Sequence, residues 1–206
     1  MNDEFGVFAP LFRESAGYLV LLNLNDASES KCAVSLVKKC CESVPDATGD
    51  ICRFLQELNW RPHLVGAVAV ALLPHNPKTI QQLWSAIDAD SWVTPQLAAV
   101  AFLRDPKFTR RAGERLGFRR SLRRDDDEDS SEGQDGLTSC HAPLLKSGKA
   151  VASLKRLMEL LPQSPDWFVS GTLPSELRQL LNDDRNLPGE YVEEWLRRLR
   201  RNLSEV

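Results

Sequence analysis

Residues 64–73 read LVGAVAVALL, ten positions without a polar side chain. A helix apolar all round has to be buried, so this stretch is expected to form the central helix of the molecule. Its left flank, Trp60-Arg61-Pro62-His63, carries a proline where a helix begins, since the missing N–H would be unpaired there anyway. To its right the same punctuation recurs. Asn76-Pro77 opens KTIQQLWSAI, Thr94-Pro95 opens QLAAVAFL, and Asp105-Pro106 opens KFTRRAGERL. The residue before each proline is an expected N-cap, because its side-chain oxygen can accept from a first-turn N–H. Pro62, Pro174 and Pro188 also sit at helix starts, with less orthodox caps.

Helical spacing continues on both sides. Cys32, Leu36 and Cys40 recur at four-residue steps, and Ile51, Phe54, Leu55 and Leu58 form the apolar face of the next segment. Tyr18–Leu24 reads as a helix in this company, although it could be a strand in isolation. No stretch alternates strictly between β-branched and polar residues. The fold class is therefore all-α: short helical hairpins, stacked as a solenoid or gathered in a compact bundle.

A faint internal repeat supports the hairpins. Trp60–Val68 aligns with Trp92–Ala101 if one residue is inserted, each copy placing a Trp before a helix rich in Ala and Val. Small residues at Gly66, Ala67, Ala98 and Ala99 would let neighbouring helices approach closely. The spacing suits helical-pair repeats; two similar hairpins in a globular bundle would look the same.

The composition changes at Arg119. A basic run to Arg124 is followed by Asp125, Asp126, Asp127, Glu128 and Asp129, then Ser130, Ser131 and Glu132. Such a stretch buries little apolar surface and reads as a flexible charged linker. Amphipathic helices are expected beyond it over Lys149–Leu161, Ser175–Leu181 and Glu190–Leu203.

The whole chain has 206 residues and a formal net charge of -3, enough length for a real core and no overall pull toward nucleic acid or anionic lipid. Its five cysteines are odd in number and show no framework spacing, which points to a reducing compartment. The acidic N-terminus does not resemble a signal peptide, and Tyr18–Leu24 is too short to span a bilayer. A cytoplasmic location and no membrane partner are the expectations.

Catalytic and cofactor motifs are missing from the pattern. The histidines His63, His75 and His141 form no metal-ligand spacing, and His63 reads as a helix-start or core residue. Cys140-His141 are chain neighbours, which extended backbone points apart, so they make a poor nucleophile pair. Lys146-Ser147-Gly148-Lys149-Ala150 lacks the leading glycine, the following Ser or Thr, and the preceding strand of a phosphate loop. Asp125–Asp129 lacks the glycine and closing glutamate of a calcium loop. No cofactor and no enzymatic activity are expected. The basic segment 107–124 (Lys107, Arg110, Arg111, Arg115, Arg119, Arg120, Arg123 and Arg124) could track a phosphate backbone. It is read here as a solvated face neutralised by the acidic tract after it. Trp60, Trp84 and Trp92 are expected in the core, and Trp167 with Phe168 in a Pro-flanked loop as an exposed contact.

Three segments carry a family likeness: Asn59-Trp60-Arg61-Pro62, Leu83-Trp84 and Ser91-Trp92-Val93-Thr94-Pro95-Gln96-Leu97. Over about residues 50–110 the chain resembles a bacterial HEAT-like helical family, some of whose members resemble immunity proteins paired with polymorphic or secreted antibacterial toxins. The resemblance implies that the first of three expected units, 1–118, is a HEAT-like helical domain; the flexible charged linker or loop over 119–142 and the C-terminal helices over 143–206, packed on the first part, are expected from composition and helical spacing. It also implies a protein that binds a cognate toxin, or another protein as a scaffold, and carries over no catalytic residue. The expected partner contacts are Asp125, Asp126, Asp127, Glu128, Asp129 and Glu132, which could enter a basic cleft, with Trp167 and Phe168. The alternative is nucleic-acid binding through 107–124.

Overall fold

The computed structural model describes residues 5–13, 17–118, 145, 147–162, 173, 175–183 and 189–206. Among these, every regular element is helical and there is no strand. A 3-10 turn, Gly6–Leu11, precedes α1 (Gly17–Asn23), α2 (Ala27–Glu42), α3 (Thr48–Gln56), α4 (Trp60–Leu72), α5 (Pro77–Asp88), α6 (Thr94–Arg104) and α7 (Phe108–Arg115). After the undescribed stretch come α8 (Gly148–Glu159), α9 (Ser175–Asp183) and α10 (Gly189–Ser204).

The apolar run does form the centre. From Pro62 to Ala71 every residue of α4 is buried, and α6 is buried from Thr94 to Ala101. The hairpins α3–α4 and α5–α6 stack in register, α3 against α5 and α4 against α6. The remaining faces of the inner pair are covered, α4 by α1 and α2, and α6 by α8 and α10, while α10 also reaches α2. The stacked hairpins thus sit inside a compact bundle. Gly66 permits the first hairpin's close packing. A Cβ there would stand 3.3 Å from the Leu55 side chain and 3.4 Å from Phe54 Cβ.

Several helix starts follow the expected chemistry and others do not. The Asn76 side chain accepts from Lys78 N at 2.9 Å, capping α5. Asn59 does the same for α4 through Arg61 N, so Pro62 lies inside the first turn and is not the opening residue. Thr94 is not an N-cap. It is the first residue of α6, and its hydroxyl donates back to the Ser91 carbonyl. Asp105 caps the turn ahead of α7 by accepting from Lys107 N at 2.9 Å. Ser147 caps α8 through Ala150 N, which gives the Lys146–Ala150 segment a structural role at a helix start.

The end of α3 corrects the reading of Leu58. Placed on the buried face by its spacing, Leu58 is in fact fully exposed, because α3 stops at Gln56 and Glu57 turns extended. The Glu57 carbonyl, freed from the helix, accepts from His63 Nε2 at 2.7 Å. The same ring receives the Ser91 hydroxyl at Nδ1, also at 2.7 Å. His63 is therefore a core residue with its Nε2–H tautomer fixed by the carbonyl, and it ties the α3–α4 turn to the α5–α6 turn.

Candidate functional site

Stacking two hairpins of the same design brings their equivalent ends together. Trp60 opens α4 and Trp92 lies just before α6, and their ring centroids are 4.9 Å apart at 53°. The contact extends to Tyr18 on α1, 6.0 Å from Trp60, and from Tyr18 to Phe12 at 5.6 Å. Phe12 stacks on Phe5 at 4.0 Å and meets the buried Phe54 edge-on. The result is an aromatic ladder that starts in the core and ends on the surface.

Its outer end is exposed in an otherwise well-buried set of large side chains. Trp92 is 58% exposed, Leu58 fully, and Leu19, beside Tyr18, 50%, whereas Trp84 and Trp195 are almost wholly buried. The expected core role of Trp92 is therefore corrected, and Trp60 is only partly buried. The reason is position: both residues precede or begin their helices, so their rings lie over the ends of the stack and not between its layers. Arg61 completes this face. Its guanidinium carbon stands 5.1 Å from the Trp60 ring centre and 5.7 Å from that of Tyr18. Its Nε donates to the Tyr18 hydroxyl at 3.2 Å and its Nη1 to Asn59 Oδ1 at 3.5 Å, and no carboxylate pairs with it among the described residues. Trp, Tyr and Arg together on one surface are the residue types enriched at protein-interaction hot spots.

The loop carrying Trp92 is held firmly. Residues 86–91 close α5 with Ser91 N bonded to the Ala86 carbonyl and Asp90 N to that of Ile87, a glycine-type helix ending in which Asp90 takes φ +59°. Ser91 then bonds His63. Burial lowers the pKa of His63, so the neutral ring is the form that holds this junction. The Ser91–His63 contact has the reach of a nucleophile and base. Both are buried, however, and the outer ring nitrogen holds a backbone carbonyl.

The basic segment is differently employed than expected. Arg115 is buried, not solvated, and makes a two-pronged ion pair with Asp88, Nε–Oδ1 and Nη2–Oδ2 both 2.7 Å. It also covers the Trp84 ring at 4.4 Å. Trp84 Nε1 donates to the buried Asp105 carboxylate at 2.7 Å, which pairs with Arg111 at 3.4 Å. The neutralising acids here are Asp88 and Asp105 within the fold. Lys107 and Arg110 are exposed. Arg119, Arg120, Arg123 and Arg124 lie outside the described residues, as do the expected contacts Asp125, Asp126, Asp127, Glu128, Asp129, Glu132, Trp167 and Phe168.

A concavity of about 420 Å³ lies between α10 and the end of α1, lined by Asn23, Asn25, Tyr191, Glu194, Trp195 and Arg198 among others. Tyr191, Glu194, Trp195 and Arg198 are already matched within the fold. Tyr191 donates to the Leu22 carbonyl at 2.7 Å, Trp195 to that of Leu21 at 3.0 Å, and Arg198 to Asn23, Asn25 and Glu194. Burial pushes the Tyr191 hydroxyl up to about 12, while Arg197 and Arg198 hold Glu194 down to about 2. These bonds dock α10 on the amino-terminal helices. Among the described residues no group of three or more His, Cys, Asp or Glu is placed to hold a metal, and no helix is long and apolar enough to cross a membrane. Cys32, Cys40, Cys41 and Cys52 are free thiols.

Comparison with family models, curated proteins and solved structures finds no match to this chain.

Proposed function

We propose that this chain is a non-catalytic protein-binding protein that engages its partner through the face formed by Leu58, Trp60, Arg61 and Trp92, and that it serves as an immunity protein neutralising a cognate bacterial toxin. The observation that carries the binding role is the exposure of Trp92 where its ring meets Trp60, which Arg61 covers in turn, with Leu58 fully exposed two residues before Trp60. Large apolar side chains left in water cost free energy that a partner recovers on covering them. Their attachment to helix starts fixed by His63 and Asn59 keeps the ordering cost of binding low. The immunity role rests on the family likeness of residues 50–110. In that role Asp125–Asp129 and Glu132 act as steering charges toward a basic cleft.

The nucleic-acid alternative is weakened by the internal pairing of Arg111 and Arg115. Capture of partners by the tagged wild type and by a Leu58→Ala/Trp92→Ala variant tests the reading, with nuclease-treated controls. A stoichiometric protein lost in the variant supports binding through this face, and rescue from that protein's toxicity by the wild type alone supports immunity. Equal capture by both forms removes the face from the proposal. Recovery of nucleic acid in place of protein overturns the binding role.

A further inference from the structure

The charge on the aromatic face restricts what can cover it. We infer that its occupant is a protein segment presenting an aspartate or glutamate beside a bulky apolar side chain, the carboxylate meeting Arg61 and the apolar group resting on Trp60 and Trp92; this rests on the binding role proposed above. Two of the five N–H donors of a guanidinium reach protein acceptors at Arg61: Nε donates to the Tyr18 hydroxyl at 3.2 Å and Nη1 to Asn59 Oδ1 at 3.5 Å. The others have no acceptor among the described residues. With its guanidinium carbon 5.1 Å from the Trp60 ring centre, Arg61 lies in the footprint of any partner large enough to cover that ring and Trp92. Covering it strips water from a permanent cation, and a buried unpaired charge is strongly unfavourable. An apolar partner alone therefore loses at Arg61 what it gains on the rings. A carboxylate resolves the conflict, because its two oxygens match the fork geometry of the guanidinium and form charge-assisted hydrogen bonds. The ring faces nearby disfavour a second anion and suit an aliphatic or aromatic neighbour. The interaction would weaken with salt, as a partly exposed ion pair does.

The test selects a random peptide library displayed on phage against the immobilised full chain. Enriched sequences are synthesised and titrated by intrinsic Trp fluorescence against wild type, Arg61→Gln, Arg61→Lys and Trp92→Ala. The expected result is enrichment of Asp or Glu next to Leu, Phe or Trp. Affinity should fall at least about tenfold in Arg61→Gln, with only partial recovery in Arg61→Lys, which lacks the planar fork. It should fall by the same order in Trp92→Ala, and on replacing the peptide carboxylate by its amide. Peptides that need Trp92 but bind Arg61→Gln equally overturn the acidic requirement and leave the docking face standing. If no enriched peptide depends on Trp92, or none is enriched, the acidic requirement and the docking face both fall.

Discussion

Trp60 and Trp92 occupy matching positions in two successive hairpins and meet with their ring centres 4.9 Å apart. The contact follows from stacking two similar hairpins, which brings their corresponding ends together. The pair also divides the tryptophans by task, and that division is measurable. Trp92→Ala should lower unfolding free energy by about 1 kcal/mol or less, the size of one exposed aromatic contact. Trp195→Ala, which empties a buried site and leaves the Leu21 carbonyl unpaired, should cost about 3–5 kcal/mol. Urea titrations of the two variants check both; comparable losses would place Trp92 in the core.

His63 gives the stability a defined pH dependence. Burial lowers its folded pKa, so below the unfolded value of about 6.5 the unfolded chain binds a proton that the folded chain does not. Stability should therefore decline as pH falls from about 6.5 toward the folded pKa and level off below it. His63→Gln should remove that component of the slope whatever it does to the plateau. Chemical denaturation at a series of pH values supplies the measurement, and an unchanged slope would assign it to other groups.

Asp90 occupies the left-handed position that ends α5, where α7 uses Gly117 at φ +84° in the same hydrogen-bonded ending. Its Oδ1 is also buried without a hydrogen-bond partner. Asp90→Gly relieves both, against a larger entropy loss on folding for glycine. The net expectation is a gain of about 0.5–1 kcal/mol, the left-handed conformation costing an L-residue about 1–2 kcal/mol and glycine's entropy taking back part of it. A drop in the urea midpoint would show that the Asp90 side chain contributes more than its backbone strain costs.

The Asp88–Arg115 pair is nearly buried, with side-chain exposures of 16% and 10%, so breaking one half strands the other. Arg115→Ala should destabilise by about 3–5 kcal/mol. Arg115→Lys should recover only part of this, since it cannot keep both prongs or the coverage of Trp84. A double-mutant cycle with Asp88→Ala isolates the coupling. Near-additive losses would mean the pair contributes little.

The thiols should differ sharply in reactivity. Burial pushes Cys41 to about 12 and raises Cys40 as well, while Cys32 is exposed. Alkylation of the native protein, read by peptide mass spectrometry, should label Cys32 well ahead of Cys40 and Cys41. Equal labelling would indicate local opening of α2.

The residues of α4 determined much of this protein without help. Ten consecutive positions of Leu, Val, Ala and Gly between helix-start signals read as a buried helix by their length and flanks, and Asn or Ser ahead of an apolar run marks a helix start by local hydrogen bonding. These signals lie within one or two turns, so the sequence carries them directly. Tertiary structure decided where each helix end points. Leu58 has the spacing of a core residue, but the Glu57 carbonyl is drawn away to His63, and the helix stops before Leu58 can be buried. Arg115 belongs to a basic run, yet Asp88, distant in sequence, neutralises it inside the fold. Trp92 shares its composition with a core anchor and becomes a surface residue because it falls at the end of the stack. Periodicity records which face of a helix is apolar; whether a residue at the helix end is covered depends on the neighbouring hairpin, and no local pattern encodes that.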